Sequence, residues 1–126
     1  MQLEPMLEGT LGGSLAMDPE LLMQTLRSGR RVVVVDVRNA DEFRDAHVEG
    51  SRSIPIHQLV ARAPELVTDR GIQVVVVSQR GERAKIAAGS LRLAGFAEIA
   101  TLAGGIDRWL AAGLPVERTS AGTELR

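Results

Sequence analysis

The sequence predicts an α/β domain built on a parallel sheet with helices on both faces, and three observations carry that prediction. Val32 to Val37 and Val74 to Val77 are runs of β-branched apolar residues without polar alternation, as expected of strands buried on both sides. Segments of helical period with caps and stops alternate with these runs, the order that a parallel sheet with crossover helices requires. Val74 to Val77 also passes through a short basic loop, Ser78-Gln79-Arg80-Gly81-Glu82-Arg83, into an Ala- and Leu-rich segment, Ala84 to Ala94, that reads as a helix.

In chain order, Met1 to Met17 mix Gly9, Gly12, Gly13 and Ser14 with scattered Leu and show no sustained period. Residues 1–17 therefore read as an arm leading into a domain of residues 18–117. Asp18-Pro19-Glu20 supplies an N-cap, a proline at the first helical position and an early acid. Leu21, Leu22 and Leu26 form the apolar stripe of this helix, and Gly29 stops it. Asp36 is the one charge inside the Val32 to Val37 strand. A carboxylate there is expected to accept hydrogen bonds from the next loop or to pair with a neighbour, because nothing beside it in sequence makes it a general base. Asn39 caps a short helix, with Glu42 at the capping-box position and Phe43 as its core anchor.

His47-Val48-Glu49-Gly50 reads as a turn into the extended segment Ser53 to Ile56, where Pro55 marks an edge or the end of pairing. His47 is expected to be a structural hydrogen-bonder rather than a ligand or proton shuttle. His57 opens a mixed helical stretch through Leu59, Val60, Leu66 and Val67, interrupted by Pro64. Gly95 stops the helix that follows the basic loop, Phe96 to Leu102 reads as a further strand, and Gly104-Gly105 allows a tight turn into Ile106 to Ala112. Trp109 lies at helical spacing from Ile106 and Leu110 and is expected in the core. Gly113-Leu114-Pro115 ends that helix, and the polar residues 118–126 read as a tail.

A chain of 126 residues is long enough for one domain with its own core. A net charge of −1 gives no reason to expect nucleic acid or a membrane as partner. There is no cysteine, hence no disulfide and no thiolate metal site; no metal cluster of the usual spacing is present, and no cofactor is expected. Met1-Gln2-Leu3-Glu4-Pro5 lacks the basic start and apolar run of a signal peptide, and no later stretch approaches membrane-spanning length, so a cytoplasmic location is expected.

Function is expected at the loop after Val77. A strand running into a helix aims several backbone N–H groups and the positive end of the helix dipole at one small volume. Arg80 and Arg83 add fixed charge to the same place. In a parallel sheet ligands bind beyond the carboxyl ends of the strands, which is where Ser78 must lie. The expectation is an anion pocket with Ser78 at its floor, a cradle made by the amides of Gln79, Arg80, Gly81, Glu82 and Arg83, and a charge set by the two arginines.

Five motifs stand in one order along the chain. They are Asp36-Val37-Arg38 followed by Glu42-Phe43; His47-Val48-Glu49-Gly50-Ser51 with Ile54-Pro55; Gly81-Glu82-Arg83; Gly95-Phe96; and Leu102-Ala103-Gly104-Gly105 with Trp109 and Gly113-Leu114-Pro115. Together they resemble the rhodanese-homology family of sulfurtransferases, which also contains the dual-specificity phosphatases that activate cell-cycle kinases. The resemblance runs from about Asp18 to about Glu117. It implies a central parallel sheet of about five strands between helices. It also implies that Asp36, Arg38 and His47 brace the loops around the site. The family's chemistry uses a cysteine at the first loop position, whose thiolate takes a sulfane sulfur from a donor such as thiosulfate, holds it as a persulfide and passes it to cyanide or a protein thiol. Here that position is Ser78.

Three readings follow. In the first, the domain is catalytically silent and keeps its basic pocket as a binding or regulatory module, for a small sulfur-containing anion of the thiosulfate kind or for a partner's thiol or persulfide. In the second, it is a sulfurtransferase whose cysteine has been replaced by Ser78, which the complete absence of cysteine accommodates with one substitution. The third is a serine hydrolase using Ser78 with His47 or His57 and Asp36, disfavoured because Val76-Val77-Ser78-Gln79-Arg80 lacks the Gly-x-Ser-x-Gly elbow. Phosphatase chemistry is disfavoured as well. Ser78 to Arg83 spans six residues, the length the resemblance associates with sulfur transfer, whereas the related phosphatases use one more, and Glu82 adds negative charge at the rim.

Overall fold

A computed structural model describes residues 15–66 and 69–119. The expected arm before Leu15, Val67 of the mixed helical stretch and the tail from residue 120 lie outside the described residues. The first half of the chain runs β1 (Leu15–Met17), α1 (Pro19–Arg27), β2 (Val32–Asp36), α2 (Ala40–Asp45), β3 (His47–Val48) and β4 (Arg52–Ser53). Then come α3 (Leu59–Arg62), flanked by 3-10 turns at Ile56–Gln58 and Ala63–Glu65, and β5 (Gln73–Val77), α4 (Glu82–Leu93), β6 (Glu98–Leu102), α5 (Gly105–Ala111) and β7 (Val116–Glu117).

Five strands form one sheet in the order β1-β6-β5-β2-β4, and every neighbouring pair is parallel. The predicted α/β class and parallel sheet are therefore what forms. The valine runs explain why β5 and β2 are central. Side chains alternate across a strand, so Val74 and Val76 enter one core with Leu59, Leu66, Leu91 and Phe96. Val75 and Val77 enter the other, with Leu22, Leu102, Ile106 and Trp109. All four valines are fully buried, which is possible only because helices cover both faces.

Leu15–Met17, read from sequence as the end of the arm, are instead part of the sheet. They form the edge strand β1, paired in parallel with Ala100–Leu102, and Met17 is buried in the second core. Three residues beside a glycine-rich stretch show no period of their own, so only the exposed edge of β6 selects them as a strand. Phe43 is another difference. It is half-buried on a helix that has no fully buried residue, and its ring stacks on His47 with centroids 3.7 Å apart. His47 itself lies in β3 rather than in a turn. Its strand pairs antiparallel with β7, His47 opposite Glu117 and Val48 opposite Val116.

Because the sheet is parallel, the loops after β2, β5 and β6 all emerge at its carboxyl end. The start of α5 docks directly on the loop after β5: Ile106 N–H donates to the Ser78 carbonyl at 2.9 Å and Asp107 N–H to that of Gln79 at 3.1 Å. Gly105 makes this approach possible. Its φ is +64°, and a Cβ there would lie 2.3 Å from the Gln79 carbonyl oxygen and 2.5 Å from that of Ser78. The two short distances are to backbone, which cannot swing aside. Gly105→Ala is therefore expected to lose about 2–4 kcal/mol of stability, from the left-handed strain and the overpacking together. Urea unfolding followed by Trp109 fluorescence checks this, and a loss below about 0.5 kcal/mol contradicts the contact.

Candidate functional site

Ser78 is the first residue after β5 and is 1% exposed. Its Oγ accepts two backbone hydrogen bonds, from Gly81 N–H at 3.0 Å and from Ala84 N–H at 3.1 Å. The second donor lies in the first turn of α4, so the hydroxyl occupies the helix's anion-seeking end. Gly81, at φ +118°, turns the chain so that its N–H reaches back to Ser78. Peptide planarity orients the other donors. In a trans peptide the N–H points opposite to the C=O, and the Ser78 and Gln79 carbonyls are held by α5, so the N–H groups of Gln79 and Arg80 face the other way. Among the described residues no protein acceptor takes the N–H groups of Gln79, Arg80, Glu82 or Arg83. Of the five loop amides, that of Gly81 is thus taken by the Ser78 hydroxyl, while the other four have no protein acceptor among the described residues.

Charge around the loop is arranged differently from the sequence expectation. Arg80 is 77% exposed and faces Asp107 of α5, Nε to Oδ2 3.5 Å. Arg83 makes a two-pronged pair with Glu42 of α2, at 3.2 and 3.4 Å. Each loop arginine is thus matched by a carboxylate from another element, and the pocket's charge is not set by the arginines alone. Glu42 also completes a capping box, its Oε1 accepting from Asn39 N–H while Asn39 Oδ1 accepts from Glu42 N–H. The Arg83 hydrogen bonds hold the Glu42 carboxyl below its usual pKa, with help from the Asn39 amide and the nearby Arg38 charge and against a smaller effect of burial.

Beneath this layer lies a buried ion pair. Arg38 Nε and Nη2 bond both oxygens of Asp36 at 2.8–3.2 Å, and the Arg38 amide adds a bond of 3.0 Å to Asp36 Oδ1. The same guanidinium donates to the Ala46 carbonyl at 2.6 Å and to Gln79 Oε1 at 3.0 Å. Gln79 Nε2 in turn donates to Asp107 Oδ1. A continuous chain therefore runs Asp36, Arg38, Gln79, Asp107, Arg80, tying the ends of β2, β5 and α5 together. His47 takes no part in it. Its Nδ1 donates to the Phe43 carbonyl at 2.7 Å and its Nε2 lies 3.3 Å from Glu117 Oε1, while exposed His57 lies beside Gln58.

The structure brings together Ser78, Gln79, Arg80, Gly81, Glu82, Arg83, Asp36 and Arg38, and leaves His47 at a separate structural position. Sequence reasoning missed Asp107 as a partner of the loop, Glu42 as the counter-ion of Arg83, and the close approach at Gly105. Glu42 was visible as a cap and Gly105 as a turn, but their contacts to the loop are long-range.

The chain resembles known proteins over most of its length. The sequence pattern of the "Rhodanese-like domain" matches residues 18–112. A protein of Allochromatium vinosum named "Sulfurtransferase" is 31% identical over 99 residues, 79% of this chain and 91% of that protein. The "Uncharacterized protein YqhL" of Bacillus subtilis is 38% identical over 90 residues, 71% of this chain and 70% of that one. Among solved structures, the Alr3790 protein of Anabaena sp. superimposes with a TM-score of 0.78 at 29% identity, covering 86% of this chain and 97% of that one. No helix among the described residues is long and apolar enough to cross a membrane.

Two outcomes are expected from these ion pairs. Arg38→Ala leaves the Asp36 carboxylate, 0% exposed, without its guanidinium and is expected to lose about 3–5 kcal/mol in urea unfolding. Glu42→Gln tests the outer pair. Since the folded acid is held below its ordinary 4.5, the ionised pair stabilises the protein above that pH and the contribution fades as pH falls through the folded value. Wild type is expected to exceed Glu42→Gln by up to about 1 kcal/mol at neutral pH, a gap that closes in acid. A gap independent of pH contradicts the pairing.

Proposed function

The chain belongs to the rhodanese-like domain family, and from that premise we propose that it is a catalytically silent member whose loop serves a binding or regulatory role. The observation that carries the reading is the state of Ser78. Its hydroxyl sits where two amides and a helix N-terminus converge, the environment in which a thiolate would be stabilised. An alcohol gains little from the same surroundings. Nucleophilic serines need an adjacent base, and the partners of Ser78 Oγ are amide donors, while the His47 ring is held by Phe43 and Glu117. Oxygen also cannot carry a transferred sulfur as a stable persulfide. These points argue against the hydrolase reading as well.

What remains is a donor-lined cradle suited to a small sulfur-containing anion of the thiosulfate kind, or to the thiol or persulfide of a partner protein. The second reading, a sulfurtransferase whose cysteine has been replaced by Ser78, is favoured by one observation: the donors around Oγ are already placed for a thiolate. The similarity to a sulfurtransferase of Allochromatium vinosum supports it too.

The experiment begins with wild type and Ser78→Cys, assayed for thiosulfate-to-cyanide sulfur transfer with intact mass read for a gain of one sulfur. Wild type is expected to show neither. The introduced thiol is expected to titrate below the ordinary value of about 8.5, read from the pH dependence of alkylation, and to take up one sulfur. A thiol of ordinary acidity that never gains sulfur overturns the cradle. Saturable heat on titrating wild type at low salt with thiosulfate or a persulfidated peptide supports the binding role; its absence, with an active Ser78→Cys, favours the replaced nucleophile.

A further inference from the structure

Each loop arginine is answered by a carboxylate that the loop does not supply. Glu42 comes from α2 and bonds Arg83 with both oxygens; Asp107 comes from α5, faces Arg80 and holds Gln79. Taking the loop with the charged groups bonded to it, three arginines (Arg38, Arg80, Arg83) stand against four carboxylates (Asp36, Glu42, Glu82, Asp107), a net charge of −1. Lys85, exposed on the first turn of α4, raises the balance only to zero. The cradle thus offers dipoles without net positive charge. A dianion doubles every attraction and every repulsion alike but costs about four times as much to desolvate, so a cradle whose carboxylates cancel its arginines favours a single negative charge.

On the reading of the loop as a sulfur-group cradle, we propose that Glu42 and Asp107 determine its ligand class: they make it accept the singly charged persulfide carried on a thiol in preference to a free dianion such as thiosulfate. In the cysteine variant the corresponding step is simple exchange. The thiolate attacks the outer sulfur of the bound R–S–S⁻, the S–S bond of the donor breaks, the enzyme is left as the persulfide anion and RS⁻ leaves.

The test uses full-length Ser78→Cys, alone and combined with Glu42→Gln and with Asp107→Asn. Both amides keep an acceptor oxygen for the neighbouring hydrogen bonds, and unfolding curves verify that each variant folds. Single-turnover gain of one sulfur is followed by intact mass with the persulfide of N-acetylcysteine methyl ester, whose carrier is uncharged, and with thiosulfate, each rate divided by that of the same donor with free cysteine. The normalised rate is expected to favour the persulfide by about tenfold, and each carboxylate removed is expected to raise the thiosulfate rate about fivefold while moving the persulfide rate less. Equal normalised rates, or a donor ratio unmoved by both substitutions, overturn the assignment while leaving the cradle intact. Loading by neither donor overturns the cradle itself, and this inference with it.

Discussion

The docking of the α5 N-terminus onto the loop after β5 is the constraint on which the site depends. Two carbonyls, of Ser78 and Gln79, are taken by the first amides of α5, and each bond settles two orphan groups at once: a helix-end donor and a loop acceptor. The rigid peptide plane does the rest. With the carbonyls fixed on one side, the N–H groups of Gln79 and Arg80 have only the other side to face. The cradle is thus a by-product of helix capping between two neighbouring βα units, and it exists because position 105 has no side chain. The buried Asp36–Arg38 pair secures the third wall by reaching Gln79 from β2.

Features that repeat locally were legible in the sequence. Four consecutive valines announce a central strand, Asp18-Pro19 announces the start of α1, and Ser78 to Arg83 announces a βα loop, because each signal lies within one element. The pairing of Asp36 with a neighbour was legible for the same reason, since Arg38 is two residues away. The misses are long-range. Glu42 and Arg83 lie 41 residues apart and Gln79 and Asp107 lie 28 apart, so the carboxylates that offset the loop arginines leave no local trace. β1 and the β3–β7 pair are two or three residues long, too short for a period to show, and tertiary pairing alone selects them. Phe43 fits a core anchor by type, yet α2 is too short to bury a full face and the ring stacks on His47 instead.

Ser78 is a position at which scaffold and chemistry make different demands. The position is a hydrogen-bond acceptor at the positive end of a 12-residue helix, and the fold uses the hydroxyl well: it satisfies two amides that would otherwise be buried without partners. Stability therefore does not select between sulfur and oxygen here as strongly as reactivity does. The same two donors that merely satisfy an alcohol would redistribute the charge of a thiol.

The edges of the main sheet have a consequence of a different kind. β1 has three residues and β4 only two, with Pro55, which has no N–H to donate, soon after. The long valine strands that would make dangerous templates for intermolecular pairing are all interior. A sheet finished in this way resists growth by strand addition, which guards a valine-rich sequence against fibrous aggregation. Self-association would have to run through helical faces, where Ile86 and Leu93 of α4 and Val60 of α3 stand exposed.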